Sequence, residues 1–304
     1  MHCSFQNDLN LRLIAMTLEQ LRIFVAVAER QHMTRAAEAL HLTQSAASAG
    51  VAALEARYGV RLFDRVGRGL VLSEAGRVFL PEAKAVLARA AAASQALDDL
   101  AGLRRGSICV GGSQTVANYW LPSRLARFAE AHPGIQVRLV VGNTAQIAQL
   151  VVDGTCELGF VEGEVDLAAL TRTQVAADRV ALYASPSHPL VGRDVQASDL
   201  LAARWVLREP GSGTRSEFEH ALARRGVDTA ALKVMLELPS GEAVLAAAAS
   251  SELVAAVSEL AARGMVEDGR LAPLRFELDA RAFDLLTHKE RRRSHAAAAF
   301  IAQI

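Results

Sequence analysis

Cysteine is scarce in this chain. Of 304 residues only Cys3, Cys109 and Cys156 carry thiols, and none forms a CxxC pair. An odd number without paired spacing argues against a disulfide framework and against a cysteine-rich zinc site. Cys109 and Cys156 fall in or beside apparent strands, where a small buried thiol is common; a redox-sensing role is the alternative. Charge of one sign is also lacking. Lys and Arg total 33 and Asp and Glu total 33, so bulk electrostatics announce no nucleic-acid partner. No apolar run of about 18 residues and no leader-like segment occurs, so no membrane partner is expected and the cytoplasm is the expected location. Catalytic signatures are missing as well. There is no HExxH or GxSxG, and "GSGT" lacks the lysine of a phosphate-binding loop. His188 and His288 have no spaced partners. An enzyme is therefore not expected, nor are catalytic residues, a cofactor or a metal site.

What is present has a clear order. The length exceeds what one core usually organises, so more than one domain is expected. Residues 1–15 show no periodicity and read as an extension. Thr17 with Gln20 forms a capping box, and Leu21, Phe24, Val25 and Ala28 recur at helical spacing. Thr34 is placed to cap a second helix through Leu40. His41 and Leu42 make a tight connection, and Thr43 caps a third helix from Gln44 to Tyr58, stopped by Gly59. Two short helices joined by a three- or four-residue turn can lay the second in a DNA major groove, about 12 Å wide. On the third helix Ala47, Val51, Leu54 and Tyr58 form the inward stripe, leaving Gln44, Ser45, Ser48 and Ala49 outward. Residues 63–72, with Gly67 and Gly69 at the centre, read as a hairpin wing. Between Thr17 and Ser73 seven arginines face five carboxylates, with Arg61, Arg65 and Arg68 bunched near the wing. The candidate DNA-contacting residues are Thr34, Arg35, Thr43, Gln44, Ser45, Ser48, Ala49, Arg65 and Arg68; a merely solvated helix surface is the alternative.

From Ser73 to about Leu103 the chain is alanine-rich and helical, with Phe79, Ala83, Val86, Ala90, Ala93, Leu97 and Leu100 at near-heptad spacing and Pro81 inside. This is the pattern of a dimerising linker, or alternatively of a core helix. Gly102, Arg104, Arg105 and Gly106 read as a hinge.

From Met16 to Phe79 the sequence "MTLEQLRIFVAVAERQHMTRAAEALHLTQSAASAGVAALEARYGVRLFDRVGRGLVLSEAGRVF" resembles the LysR-type transcriptional regulators nearly throughout. Thr34, Ala36, Ala37, Leu42, Gln44, Ser45, Ser48, Leu54, Glu55, Leu62, Phe63, Arg65, Leu72 and Gly76 fall where that family's pattern places them. The resemblance implies a winged helix-turn-helix over 16–73, a dimerising linker helix and hinge over 74–105, and an effector-binding domain like periplasmic binding proteins over 106–304. It implies double-stranded DNA as a partner, a homodimer or a homotetramer built as a dimer of dimers, and RNA polymerase as a further partner if the protein activates transcription. Ala49 and Gly50 stand where many members carry polar or basic groups.

Beyond Gly106 strand-like and helix-like runs alternate: Ile108 to Val110, a helix to Ala131, Ile135 to Val141, a helix to Val152, and Leu158 to Val161. This predicts an α/β fold with mostly parallel strands. A second set follows from Val180 to Val257, and the chain returns at Phe283 to Leu286. That gives two lobes, the first over about 106–180 and 282–304 and the second over about 181–281. Ligands in such folds gather at the carboxyl ends of strands, where helix N-termini present free N–H groups to anions. "GGSQT" places Ser113, Gln114 and Thr115 there; "EPGSGTR" places Gly211, Ser212, Gly213, Thr214 and Arg215. Asn143, Thr144, Glu162 and Ser240 occupy similar positions. Hydroxyls, amides and one Arg suit a small oxyanion or short carboxylate effector, although ordinary capping explains each hydroxyl separately. "GSQTVANYWLP" with "EPGSGTR" also looks like the branch of the family containing regulators of sulfur assimilation and carbon fixation. A solute-binding protein with no role in transcription is the rival reading, and Thr17 to Leu72 counts against it.

Overall fold

A computed structural model describes residues 16–66, 69–100 and 106–304. The expected extension, the wing tip with Arg68, and Gly102, Arg104 and Arg105 of the expected hinge lie outside these residues. The chain divides into two compact units at Ser94.

In the first unit α1 spans Leu18–Arg30, α2 Met33–Ala39 and α3 Gln44–Tyr58. The capping box forms: Thr17 Oγ1 accepts from the Gln20 amide (3.1 Å) and Gln20 Oε1 from the Thr17 amide (3.0 Å). Thr34 is not the cap of α2. His32 is extended and its Nδ1 accepts from the Arg35 amide (3.4 Å), so the helix starts earlier and Thr34 lies in its first turn. Gly59 ends α3 in the left-handed conformation at φ 64°. Ala47, Val51 and Leu54 are buried, but Tyr58 is 52% exposed because it is the last residue of the helix, where the chain leaves the core. A Cβ on Gly50 would lie 2.7 Å from Ile23 Cδ1, so glycine at this point lets α3 press on α1.

Strands β1 (Phe63–Val66) and β2 (Gly69–Leu72) pair antiparallel as the wing. Glu55 on α3 fastens it, accepting from the amides of Leu62 (2.7 Å) and Phe63 (3.2 Å). Phe24 centres the core, with its ring 5.5 Å from Phe63 and 5.0 Å from Phe79. Helix α4 (Glu74–Leu100) carries Phe79 and the buried Ala83 into this core. Farther along, Val86, Ala93 and Leu97 are exposed.

The second unit is built on a mixed sheet whose strands lie side by side in the order 135–142, 106–113, 158–162, 280–288, 170–184, 254–258, 204–208 and 233–238, with β10 (Ala272–Pro273) against 170–184. One lobe holds β3 (Gly106–Ser113), β4 (Ile135–Gly142) and β5 (Leu158–Glu162), paired in parallel. The other holds β7 (Arg204–Arg208), β8 (Lys233–Leu238) and β9 (Val254–Ser258), also parallel. The expectation of mostly parallel strands holds only inside each lobe. The two strands that join the lobes, β6 (Leu170–Ala184) and β11 (Ala280–His288), pair antiparallel with each other and with their neighbours. Two connections crossing in opposite directions can satisfy their backbone groups only in this way.

Helices cover both faces: α5 (Pro122–Ala131), α6 (Thr144–Asp153), α7 (Ala197–Ala202), α8 (Gly213–Arg224), α9 (Gly241–Ala249), α10 (Glu259–Glu267) and α11 (His295–Ala302). The helix expected up to Ala131 is in two pieces. A π-helical turn, Val116–Trp120, ends where Pro122 starts α5. Phe300 of α11 packs edge-on against Phe128 and Phe160 of the first lobe.

Replacing Glu55 by Ala removes the acceptor for two backbone amides at the base of the wing. We expect a loss of about 1–3 kcal/mol in the unfolding free energy of the first unit, read by urea titration; an unchanged midpoint would mean that the wing holds without it.

Candidate DNA-contacting face and inter-lobe cleft

The first turn of α3 leaves Gln44, Ser45, Ser48 and Ala49 exposed while Ala47 is fully buried, so the helix presents its N-terminal side chains outward. Thr43 Oγ1 is already engaged, accepting from the Ala46 amide (3.2 Å) and lying 3.0 Å from Ser45 Oγ. Its role is capping. Arg35 on α2 and Arg65 on β1 are exposed; Thr34 is half-buried.

In the second unit the strand ends of the two lobes meet. Ser113 ends β3 and donates through Oγ to Glu162 Oε2 at the end of β5. Thr214, in the first turn of α8 across the cleft, donates to Glu162 Oε1 (3.3 Å) and accepts from an Arg281 guanidinium nitrogen (3.0 Å). Arg281 on β11 also contacts Asp178 of β6 (2.6 and 3.0 Å) and lies 3.9 Å from Glu162. Every member of this ladder is buried. Thr144, at the start of α6, donates to the Glu162 carbonyl (2.7 Å) and accepts from the Gly213 amide (3.2 Å). Approach is closest at Gly213, where a Cβ would fall 1.9 Å from the Glu162 carbonyl oxygen and 2.5 Å from Thr144 Oγ1.

Outside this ladder the contacts are polar and more exposed. Asn143 Nδ2 donates to Glu209 (3.2 Å), whose carboxylate also holds Arg208 in a two-pronged pair (2.8 and 2.9 Å). Gln114 Nε2 donates to the Pro239 carbonyl (3.2 Å), and the Ala145 amide to the Gly211 carbonyl (3.3 Å). The π-helical turn brings Asn118 and Tyr119 to Glu242, each at 2.9 Å. Burial, then the neighbouring Glu242, pushes the Tyr119 hydroxyl up to about 12. Burial works to raise Glu242, but the donors of its own backbone, Asn118 and Tyr119 outweigh it and hold the carboxyl below its usual range.

Capping and binding separate here. Asn143 and Ser240 are ordinary caps, accepting from the amides of Gln146 (3.0 Å) and Ala243 (3.1 Å). Thr115 and Ser212 stand at helix starts yet make no side-chain cap bond, and Ser212 Oγ is buried with no hydrogen-bond partner. Arg215, expected to face the cleft, is drawn along the second lobe instead. It pairs with Glu219 one turn on (2.8 Å), with Glu237, and with the Arg208 carbonyl (3.1 Å). The buried cation at the hydroxyls is Arg281. Sequence reasoning missed both Arg281 and Asp178; β6 also carries Arg172 and Arg179, and β11 carries Asp284, so nothing in the sequence marked these two charges as the buried pair.

Residues 101–304 match the LysR substrate binding domain, and residues 18–77 match the bacterial regulatory helix-turn-helix protein of the lysR family. The chain belongs to the LysR family. This regulator is similar to the uncharacterized HTH-type transcriptional regulator YeiE of Escherichia coli (strain K12), with 32% identity over 94% of this chain and 96% of that protein. It is 33% identical to a probable RuBisCO transcriptional regulator of Synechocystis sp. (strain PCC 6803), over 96% of this chain and 86% of that one. Its fold matches full-length CbnR, solved in complex with its target DNA, with a TM-score of 0.67 at 22% identity over 95% and 99% of the two chains. It also matches the regulatory domain of Synechocystis PCC6803 CcmR, solved in complex with 2-PG, with a TM-score of 0.60 at 24% identity over 65% and 95%. The regulator is therefore a LysR-type DNA-binding transcriptional regulator with an effector-binding domain. Among the described residues no helix is long and apolar enough to cross a membrane.

Replacing Arg281 by Met strands Asp178 in the core. We expect a loss of about 3–5 kcal/mol in the unfolding free energy of the second unit, and recovery of most of it when Asp178 is also made apolar. Thermal melts of the two variants decide this; equal destabilisation in both would show that the ion pair itself is not the cause.

Proposed function

We propose that this regulator takes a small oxyanion or a short carboxylate as effector, in the cleft between its lobes, and that binding there resets how it holds DNA. The observation that carries the reading is the buried, unpartnered Ser212 Oγ at an uncapped helix start, two residues before Thr214, whose hydroxyl shares the Glu162 carboxylate with that of Ser113. Burying a hydroxyl without a partner costs about 1–3 kcal/mol, and an anion seated there repays it. We assign Gln114, Thr115, Asn143, Thr144, Gly211 and Ser240 to the same effector site, Asn143 and Ser240 serving as helix caps as well. The carboxylate of Glu162 already accepts from Ser113 and Thr214, so an incoming anion competes with it for those donors.

Gln44, Ser45, Ser48 and Ala49 read base edges, with Arg35, Arg65 and Arg68 on phosphates. Helix α4 joins two protomers through the apolar stripe that leaves the core after Ala83, and two such dimers associate as a tetramer. The effector shifts this assembly by its differential affinity for two arrangements. The protein works in the cytoplasm and meets RNA polymerase where it activates.

A thermal-shift screen of the full chain against sulfite, sulfate, thiosulfate, phosphate, nitrate, 2-PG and short carboxylates tests the effector class. At about 100 times the dissociation constant a ligand adds roughly 2.7 kcal/mol of stability. We expect one anion to do so, Ser212→Ala to abolish the response without lowering ligand-free stability, and Glu162→Gln to strengthen it. Silence across the panel, or a response that Ser212→Ala leaves intact, would overturn the assignment.

For DNA, selection from random duplexes followed by titration should show that Gln44→Ala costs about 1–3 kcal/mol on the preferred site and little on random sequence. An equal loss on both would assign Gln44 to the backbone.

A further inference from the structure

The sulfurs of Cys109 and Cys156 lie 3.1 Å apart, although the two residues stand 47 positions apart in the chain. The contact is built by the fold of the first lobe. Cys109 is on the central strand β3, in register with Arg138 of β4. Cys156 follows the left-handed Gly154 that ends α6, and is held by its amide to the Leu150 carbonyl (3.0 Å), while the next amide, of Glu157, donates to the Cys109 carbonyl (3.0 Å). Gly111, two residues along β3, packs against Ile147 of α6, where a Cβ would fall 3.0 Å from Ile147 Cγ2. Both thiols are free, Cys109 half-buried and Cys156 buried.

We propose that Cys109 and Cys156 are a modification site, a dithiol that a hydroperoxide oxidises to an intramolecular disulfide. The two thiols are unequal in the way such chemistry needs. The hydrogen bond from Cys156 holds the Cys109 thiol below its usual value against the opposing effect of burial, and Arg138 adds to the lowering. Cys156, donating to that sulfur and buried, is pushed up. Cys109 is thus the attacking thiolate. It takes the terminal oxygen of the hydroperoxide, breaking the O–O bond, releasing water or an alcohol after protonation, and becoming a sulfenic acid. The Cys156 sulfur, losing its proton, then attacks the Cys109 sulfur and expels water. Two thiols are oxidised, one peroxide is reduced, and no other reductant enters. A disulfide needs the sulfurs at about 2.05 Å, so they close by about 1 Å.

The bond would tie β3 to the exit of α6. Both elements carry cleft residues at their other ends, Ser113 and Thr144, and Ser113 lies four residues beyond Cys109, about 13 Å along the strand. Oxidation therefore acts on the supports of the cleft and leaves the hydroxyls themselves unmodified.

The test uses the full chain with Cys3→Ser, reduced and then treated with hydrogen peroxide, quenched with N-ethylmaleimide under denaturing conditions, and mapped by peptide mass. We expect a Cys109–Cys156 linked peptide lighter by two hydrogens than the dithiol, reverting with dithiothreitol. With Cys156→Ser, Cys109 should accumulate as a sulfenic acid trapped by dimedone; with Cys109→Ser, Cys156 should stay unmodified over the same time. Arg138→Met, at an exposed position, should slow the peroxide step severalfold while leaving melting unchanged. The proposal fails if both cysteines still take N-ethylmaleimide after peroxide treatment, or if Cys109 runs on to the sulfinic acid with no linked peptide. Neither outcome bears on the anion effector, which the Ser212→Ala melts decide separately.

Discussion

A guanidinium held inside the effector-binding domain organises what surrounds it. Arg281 lies between the carboxylates of Asp178 and Glu162, and Thr214 couples it to the loop that meets the first lobe. An ion in such a place is tolerated only when its donors are used, and here they go to Asp178 of β6 and Thr214 of α8, with the Glu162 carboxylate 3.9 Å away. Because β6 and β11 are the two strands joining the lobes, the ladder sits where any relative movement of the lobes must pass. The hydroxyls of Ser113 and Thr214 are fixed by the same carboxylate.

Close approach is the second constraint. The lobes come together where glycine removes the side chain, at Gly213 against the Glu162 carbonyl, and Thr144 uses that space to bond both sides. The same economy operates in the first unit, where Gly50 lets α3 rest on Ile23, and in the sheet, where Gly111 lets Ile147 of α6 press on β3. In each case the glycine serves packing between elements more than the conformation of its own.

Helix ends do two different jobs in this protein. Thr17, Thr43, Asn143 and Ser240 spend their oxygens on local amides, which fixes where helices begin. Ser212 leaves its oxygen free, and Ser113, at the end of β3, gives its hydrogen to Glu162. The same residue types at equivalent places in the βα pattern thus diverge in role, and only the surroundings tell them apart.

Much of the fold was legible in the sequence because local physics sets it. The capping box at Thr17, the stop at Gly59, the wing around Gly69 and the alternation of strands and helices after Gly106 all rest on residues a few positions apart. The outward set Gln44, Ser45, Ser48 and Ala49 followed from helical period alone. What spacing could not reach were choices made by distant partners. His32 displaced Thr34 as a cap by its backbone conformation, Tyr58 stayed exposed because it ends its helix, and antiparallel pairing of β6 with β11 arose from the return of the chain after about a hundred residues. Arg281 replaced Arg215 at the cleft for the same reason: Glu219 and Glu237 lie nearer to Arg215, and only folding brings β11 beneath Thr214. The sequence by itself determined the elements and the family; tertiary structure decided which charges and thiols face each other, since burial makes pairing compulsory and only the assembled core supplies the partner.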